Sequence, residues 1–305
     1  MEVYENTTTT TDTMTDELGV EGFRRIRGKE YVEICLKRKI RSDGRALSRR
    51  RTPKIVQRVL DEADGSAMAE MGGTKVLVGI RLEVTYPRQD TPNEGEMDLK
   101  VHIGPSCSPK FKPGPAPEES FLLTRFLETT LDNARAVDMS QLCIEKNRSC
   151  WIMKVNVHCL SYDGNLRDVA LLALTSALVD VEIPAHETDE ENRVVFVSGP
   201  AVPLQVSHLP ASFTFAHFSE SDTLIFDPTT EEEDAMDTSV SVVLNERGVV
   251  VGLSVPGGAG VSEEVLRRCV VEANGQNKST HEELNRALEN RRKRAKGAER
   301  ARLFV

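Results

Sequence analysis

The stretch from Cys150 to Val181 constrains this chain more than any other. Trp151, Met153, Val155, Val157 and Cys159 alternate with Lys154, Asn156 and His158, which is the period-two pattern of a strand with one buried face. An Asp163-Gly164-Asn165 turn follows, and then Leu166 to Val181 reads as a strongly apolar helix that ends before Pro184. Its Ala170, Ala173, Leu174 and Ala177 suit close packing, so the helix belongs at the centre of the fold.

Around that unit the chain reads as two successive sheet-then-helix blocks, which predicts an α+β architecture with an internal duplication. Residues 1–20, with the Thr7 to Thr11 tract, form a disordered tail because they offer too little apolar surface to bury. Residues 21–190 form the first block. It opens with an amphipathic helix carrying Phe23, Ile26, Tyr31, Ile34 and Leu36, followed by strands over Val56 to Leu60, Ser66 to Glu70 and Thr74 to Val84. The prolines between Pro105 and Pro117 mark an exposed connection into a helix from Glu118 to about Asn133. Residues 191–279 form the second block, with strands near Val194 to Val197, Leu204 to Val206, Ser212 to Ala216, Thr223 to Phe226, Ser239 to Leu244 and Val249 to Ser254. A helix starts at Ser262, and residues 280–305 form a basic tail or helix.

At 305 residues the chain has room for one large or two small domains, and its 29% charged residues fit a globular protein. No run reaches the roughly 18 to 20 apolar residues of a membrane span, which predicts a soluble, intracellular protein with no membrane partner. Six cysteines without a C-x-x-C pair exclude a zinc ribbon or thioredoxin-like motif and predict free thiols. A net charge of -9 argues against a generally basic nucleic-acid binder, yet Arg41, Arg45, Arg49, Arg50 and Arg51 are clustered beside a turn. Guanidinium groups so placed suit phosphate, or an acidic partner subunit. The Arg291-Arg292-Lys293-Arg294-Ala295-Lys296 run suits a nuclear-import signal, an RNA contact or a solvated helix face.

Other candidate chemistry is weaker. Gly72-Gly73-Thr74-Lys75 lacks the spacing of a phosphate loop and leads into a strand, and Pro256 to Gly260 reads as a turn before an N-cap at Ser262. His158 and Cys159 are strand neighbours, which face opposite ways and cannot share a proton. Asp227 with Glu231, Glu232, Glu233 and Asp234 has the carboxylates for a divalent metal or for acid catalysis, but the residues read more simply as a solvated acidic loop.

Four segments together resemble the RNase PH family, specifically the non-catalytic ring subunits of the eukaryotic RNA exosome. They are Arg41-Ser42-Asp43-Gly44-Arg45 with Asp64-Gly65-Ser66-Ala67 and Gly73-Thr74-Lys75-Val76; Cys107 to Pro115; Asp138 to Ile144 leading to Tyr162 to Asp168; and Asp227-Pro228-Thr229 with the acids after it. The resemblance implies two βαβα-like halves in one globular unit, assembled into a hexameric ring of related subunits through which RNA is threaded. S1/KH-type cap proteins and a separate hydrolytic nuclease would be its other partners, and nucleus, nucleolus and cytoplasm its locations. Active relatives bind phosphate through an Arg-Thr pair at the start of the strand leading into the Asp-Gly turn. Here Trp151-Ile152 stands in that place, with Arg148 three residues away. The resemblance therefore implies a scaffold with no catalytic residue, no metal and no cofactor, supporting 3′ to 5′ RNA degradation and processing. Asp227, Glu233 and Asp234 become a vestigial acidic segment, and Arg41, Arg45, Arg49, Arg50 and Arg51 the RNA contacts. The alternative is an active phosphate-dependent 3′ to 5′ exoribonuclease.

Overall fold

The computed structural model describes residue 19 and residues 22–188, 194–196, 199–258 and 260–302. The expected disordered tail lies almost wholly outside the described residues, as does part of the acidic stretch after Glu187. Side chains of the basic run from Arg291 to Lys296 are likewise outside them, although the backbone there is helical.

Helix α1 (Gly28–Lys37) is followed by a meander of β1 (Pro53–Gln57), β2 (Gly65–Met71) and β3 (Thr74–Thr85). Strand β4 (Glu96–His102), helix α2 (Glu118–Ala134), the short β5 (Cys143–Glu145), β6 (Ser149–Ser161) and helix α3 (Leu166–Asp180) complete the first block. Its sheet runs β1-β2-β3-β6-β4, antiparallel except where β4 lies parallel to β6, and β5 pairs with β6. Two small ladders follow, β7 (Glu182–Ile183) with β10 (Val202–Pro203) and β8 (His186–Thr188) with β9 (Val194–Phe196). The second block is a four-stranded antiparallel sheet, β12-β11-β13-β14, built from β11 (Ala211–Phe218), β12 (Thr223–Phe226), β13 (Thr238–Leu244) and β14 (Val250–Ser254). Helix α4 (Thr230–Ala235) lies between β12 and β13, and helix α5 (Glu263–Arg302) closes the chain. Among the described residues no helix is long and apolar enough to cross a membrane.

Helix α3 is central, as its composition predicts. It packs on β1, β2 and β3 on one side and on β11 on the other, which is why every residue from Asp168 to Leu178 is buried. The alternation of β6 is also met: Trp151, Met153, Val155, Val157 and Cys159 enter the core, while His158 is exposed. The six cysteines are all free.

Several expectations need correction. The first helix is interrupted at Arg27, and it buries Val32 and Leu36, leaving Ile26 at 83% exposure. It packs beside Phe218, Ile225 and Ala235, residues of β11, β12 and α4. The first strand begins at Pro53 and stops at Arg58, whose φ of 57° breaks the ladder. The expected strand over Leu204 to Val206 is only a single bridge, Val206 to Val137, with β10 before it. Strand β4 is an addition to the sequence reading.

Candidate functional site

The loop that follows α1 supplies three guanidinium groups that cross to the second block. Arg41 is sealed, its side chain 0% exposed. It donates from Nε and Nη2 to the Glu232 carboxylate at 2.9 and 2.5 Å, and from Nη1 and Nη2 to the carbonyls of Phe226 and Asp227, each at 2.9 Å. Glu232 also accepts from the backbone N–H of Thr229, the N-cap of α4, at 2.9 Å, so the carboxylate that reaches back to the cap also anchors Arg41.

Asp227 is the other anchor, held with φ at 53° and no solvent exposure. Its Oδ2 accepts from Arg45 Nη1 at 2.8 Å, Arg51 Nε at 2.9 Å and the Arg51 backbone N–H at 2.8 Å. Its Oδ1 accepts from Arg51 Nη2 at 2.7 Å and Asn165 Nδ2 at 2.8 Å. A carboxylate offers about four lone-pair sites, so with five donors in place none remains for a metal ion. Burial pushes the Asp227 carboxyl up, but the Arg51 hydrogen bond and charge outweigh it and hold the group below the usual carboxylate range. Arg51 also donates to the Asp163 carbonyl at 2.7 Å, so one guanidinium joins the Asp163-Gly164 turn to Asp227.

That geometry revises two expectations. The acidic segment is not a solvated loop: Asp227 and Glu232 are buried and ion-paired, and Glu233 accepts from the Asn165 N–H at 2.8 Å and from the Tyr162 hydroxyl. Glu231 and Asp234 face solvent: the Glu231 side chain is 41% exposed and pairs with Arg24 at 2.7 Å, and that of Asp234 is 60% exposed and pairs with Lys110 at 2.8 Å. Nor are the clustered arginines a free phosphate-binding patch. Arg41, Arg45 and Arg51 hold the two blocks together, and Arg50 pairs with Glu283 on α5 at 2.7 Å. Arg49 is exposed and makes no ion pair among the described residues.

A cleft of about 260 Å³ opens beside this network, between the proline-rich connection and the start of α3. Lys110, Phe111, Tyr162, Arg167 and Glu233 line it. Arg167 lies in the first turn of α3, where the helix dipole disfavours a cation. Its guanidinium sits 5.4 Å from the centre of the Phe126 ring, donates to Ser241 Oγ at 3.3 Å and has no carboxylate in salt-bridge range among the described residues. Burial is the main influence on Glu233 and pushes its carboxyl up. Sequence reasoning missed Arg167 as a site residue, and the available signal was a basic residue directly after a helix-starting turn.

Trp151, at the position where an anion-binding arginine is expected of active relatives, is 1% exposed and packs edge-on against His186. Among the described residues, no group of three or more His, Cys, Asp or Glu is arranged to hold a metal ion.

Residues 49–184 match the model of the 3′ exoribonuclease family, domain 1, and residues 208–276 that of domain 2. The chain is 32% identical to the exosome complex component rrp43 of Schizosaccharomyces pombe over 81% of its own length and 92% of that protein's. It is 35% identical to the exosome complex component Rrp42 of Methanopyrus kandleri, over 69% of this chain and 78% of the relative. A chain of the Archaeoglobus fulgidus exosome with RNA bound to the active site superposes with a TM-score of 0.76 at 30% identity, covering 84% of this chain and 96% of that one. With two family domains in order and relatives matched over most of their length, this chain belongs to the 3′ exoribonuclease family named for RNase PH.

Proposed function

We propose that the chain is a non-catalytic subunit of the RNase PH-like ring of an RNA exosome, supporting 3′ to 5′ RNA degradation and processing carried out by a separate nuclease. The observation that carries this reading is the state of Asp227. Every acceptor site on its carboxylate is taken by Arg45, Arg51 and Asn165, and Trp151, in the place that the resemblance gives to a phosphate-binding arginine, is buried in the core. The similarity to exosome components supports related ring subunits and RNA as partners; to these we add cap proteins, and a location in the nucleus, nucleolus and cytoplasm. RNA contact falls to Arg49, the member of the arginine cluster left exposed, and the basic end of α5 keeps its three readings.

The test is gentle affinity purification of the tagged chain from its own cells, with mass spectrometry of what accompanies it. Related ring subunits, cap proteins and a hydrolytic nuclease in comparable amounts are expected. Recovery of the chain alone, or only with copies of itself, overturns the reading.

A further inference from the structure

The first sheet has one face covered by α3 and another left open, and the open face carries a feature that the ring reading does not use. His102, the last residue of β4, and His158 on β6 are in-register neighbours on parallel strands. Their imidazoles lie side by side, with centroids 4.6 Å apart and planes within 14° of each other. Both side chains are exposed, and neither has a carboxylate in salt-bridge range among the described residues. The cations nearest along the two strands are neutralised: Lys100 pairs with Asp98 at 2.8 Å, and Lys154 pairs with Glu83. An amide oxygen, Asn156 Oδ1, lies 3.4 Å from His102 Nε2. Beyond β4 the sheet ends, so solvent reaches the pair from the open edge.

We infer that His102 and His158 form a two-imidazole site for a divalent first-row transition ion, with Asn156 Oδ1 beside it and water in the remaining positions. Imidazole nitrogen is a preferred donor for Ni²⁺, Cu²⁺ and Zn²⁺. Metal–nitrogen bonds of about 2 Å place two adjacent ligand nitrogens roughly 3 Å apart. Rings already stacked on neighbouring strands need only side-chain rotation to meet that spacing, so the sheet supplies the preorganisation. Such a site fixes an ion at the surface of the sheet and carries no chemistry of the cleft.

The experiment is a calorimetric titration of the full chain with Ni²⁺, read alongside the histidine ring resonances of the same sample. One saturable ion per chain is expected, with the His102 and His158 signals moving and those of the buried His217 and His281 unmoved. His102→Ala and His158→Ala should each weaken binding by at least about tenfold, while thermal melts match the parent because both side chains are exposed. Conservative His102→Gln and His158→Gln variants provide a second pair. Absence of saturable binding, or unchanged binding in the doubly substituted chain, overturns the inference. Neither outcome bears on ring assembly, which the purification above tests separately.

Discussion

Asp227 is satisfied only while Arg45 and Arg51 are present, so the cost of removing Arg51 is the cost of a buried carboxylate losing its main partner. Arg51→Ala should lower stability by roughly 3 to 5 kcal/mol in urea denaturation. An effect near that of an exposed pair, below about 1 kcal/mol, would contradict the structural role. The pH dependence has two opposing parts. The Asp227 carboxyl is depressed in the fold, so its contribution is present above its unfolded value of about 3.9 and is lost as pH falls through the folded value. Glu233 is raised, chiefly by burial, so it favours the fold in its protonated form and that support fades as pH rises from about 4.3 through its folded value. Glu233→Gln should therefore lose less stability than the parent as pH rises above about 4.3, as followed by thermal melts. Arg49→Ala should leave stability unchanged and reduce the salt slope of RNA binding by about one; an unchanged slope removes Arg49 from the RNA contacts.

Among the elements, the turn before α3 meets the segment from Pro228 to Thr230 backbone to backbone. Gly164 has φ at 78°, and a Cβ on it would come within 2.5 Å of the Pro228 carbonyl oxygen. Both strands of that contact are backbone, so neither can yield cheaply. Gly164→Ala should cost roughly 3 kcal/mol, measured by denaturation, and should loosen the contact between the α3 turn and α4. Local pattern made β6 and α3 readable in advance, because period-two alternation and an unbroken apolar helix each leave a signature. The same alternation is present at Met97, Leu99 and Val101 in β4, but Pro87, Pro92 and Pro105 flank it and make the segment resemble a loop. The first helix misleads for a different reason: its apolar residues outnumber those it buries, and only tertiary packing selects Val32 and Leu36.

For the molecule as a whole, the family fold was legible from short motifs, whereas the wiring of the site was not. Arg51 and Asp227 are 176 residues apart, and no local spacing says that one will neutralise the other. Sequence clustering alone made the arginines look like a surface patch and the acids look like a loop, until folding placed them against each other. The same wiring underlies the central claim that this ring subunit does not perform phosphorolysis itself. The most direct measurement is release of nucleoside diphosphate from RNA by a purified ring containing this chain, with inorganic phosphate supplied and any active related subunit inactivated by substitution. No phosphate-dependent release is expected, while an active relative works under the same conditions. Phosphate-dependent release that disappears with Arg167→Ala in this chain would contradict the account.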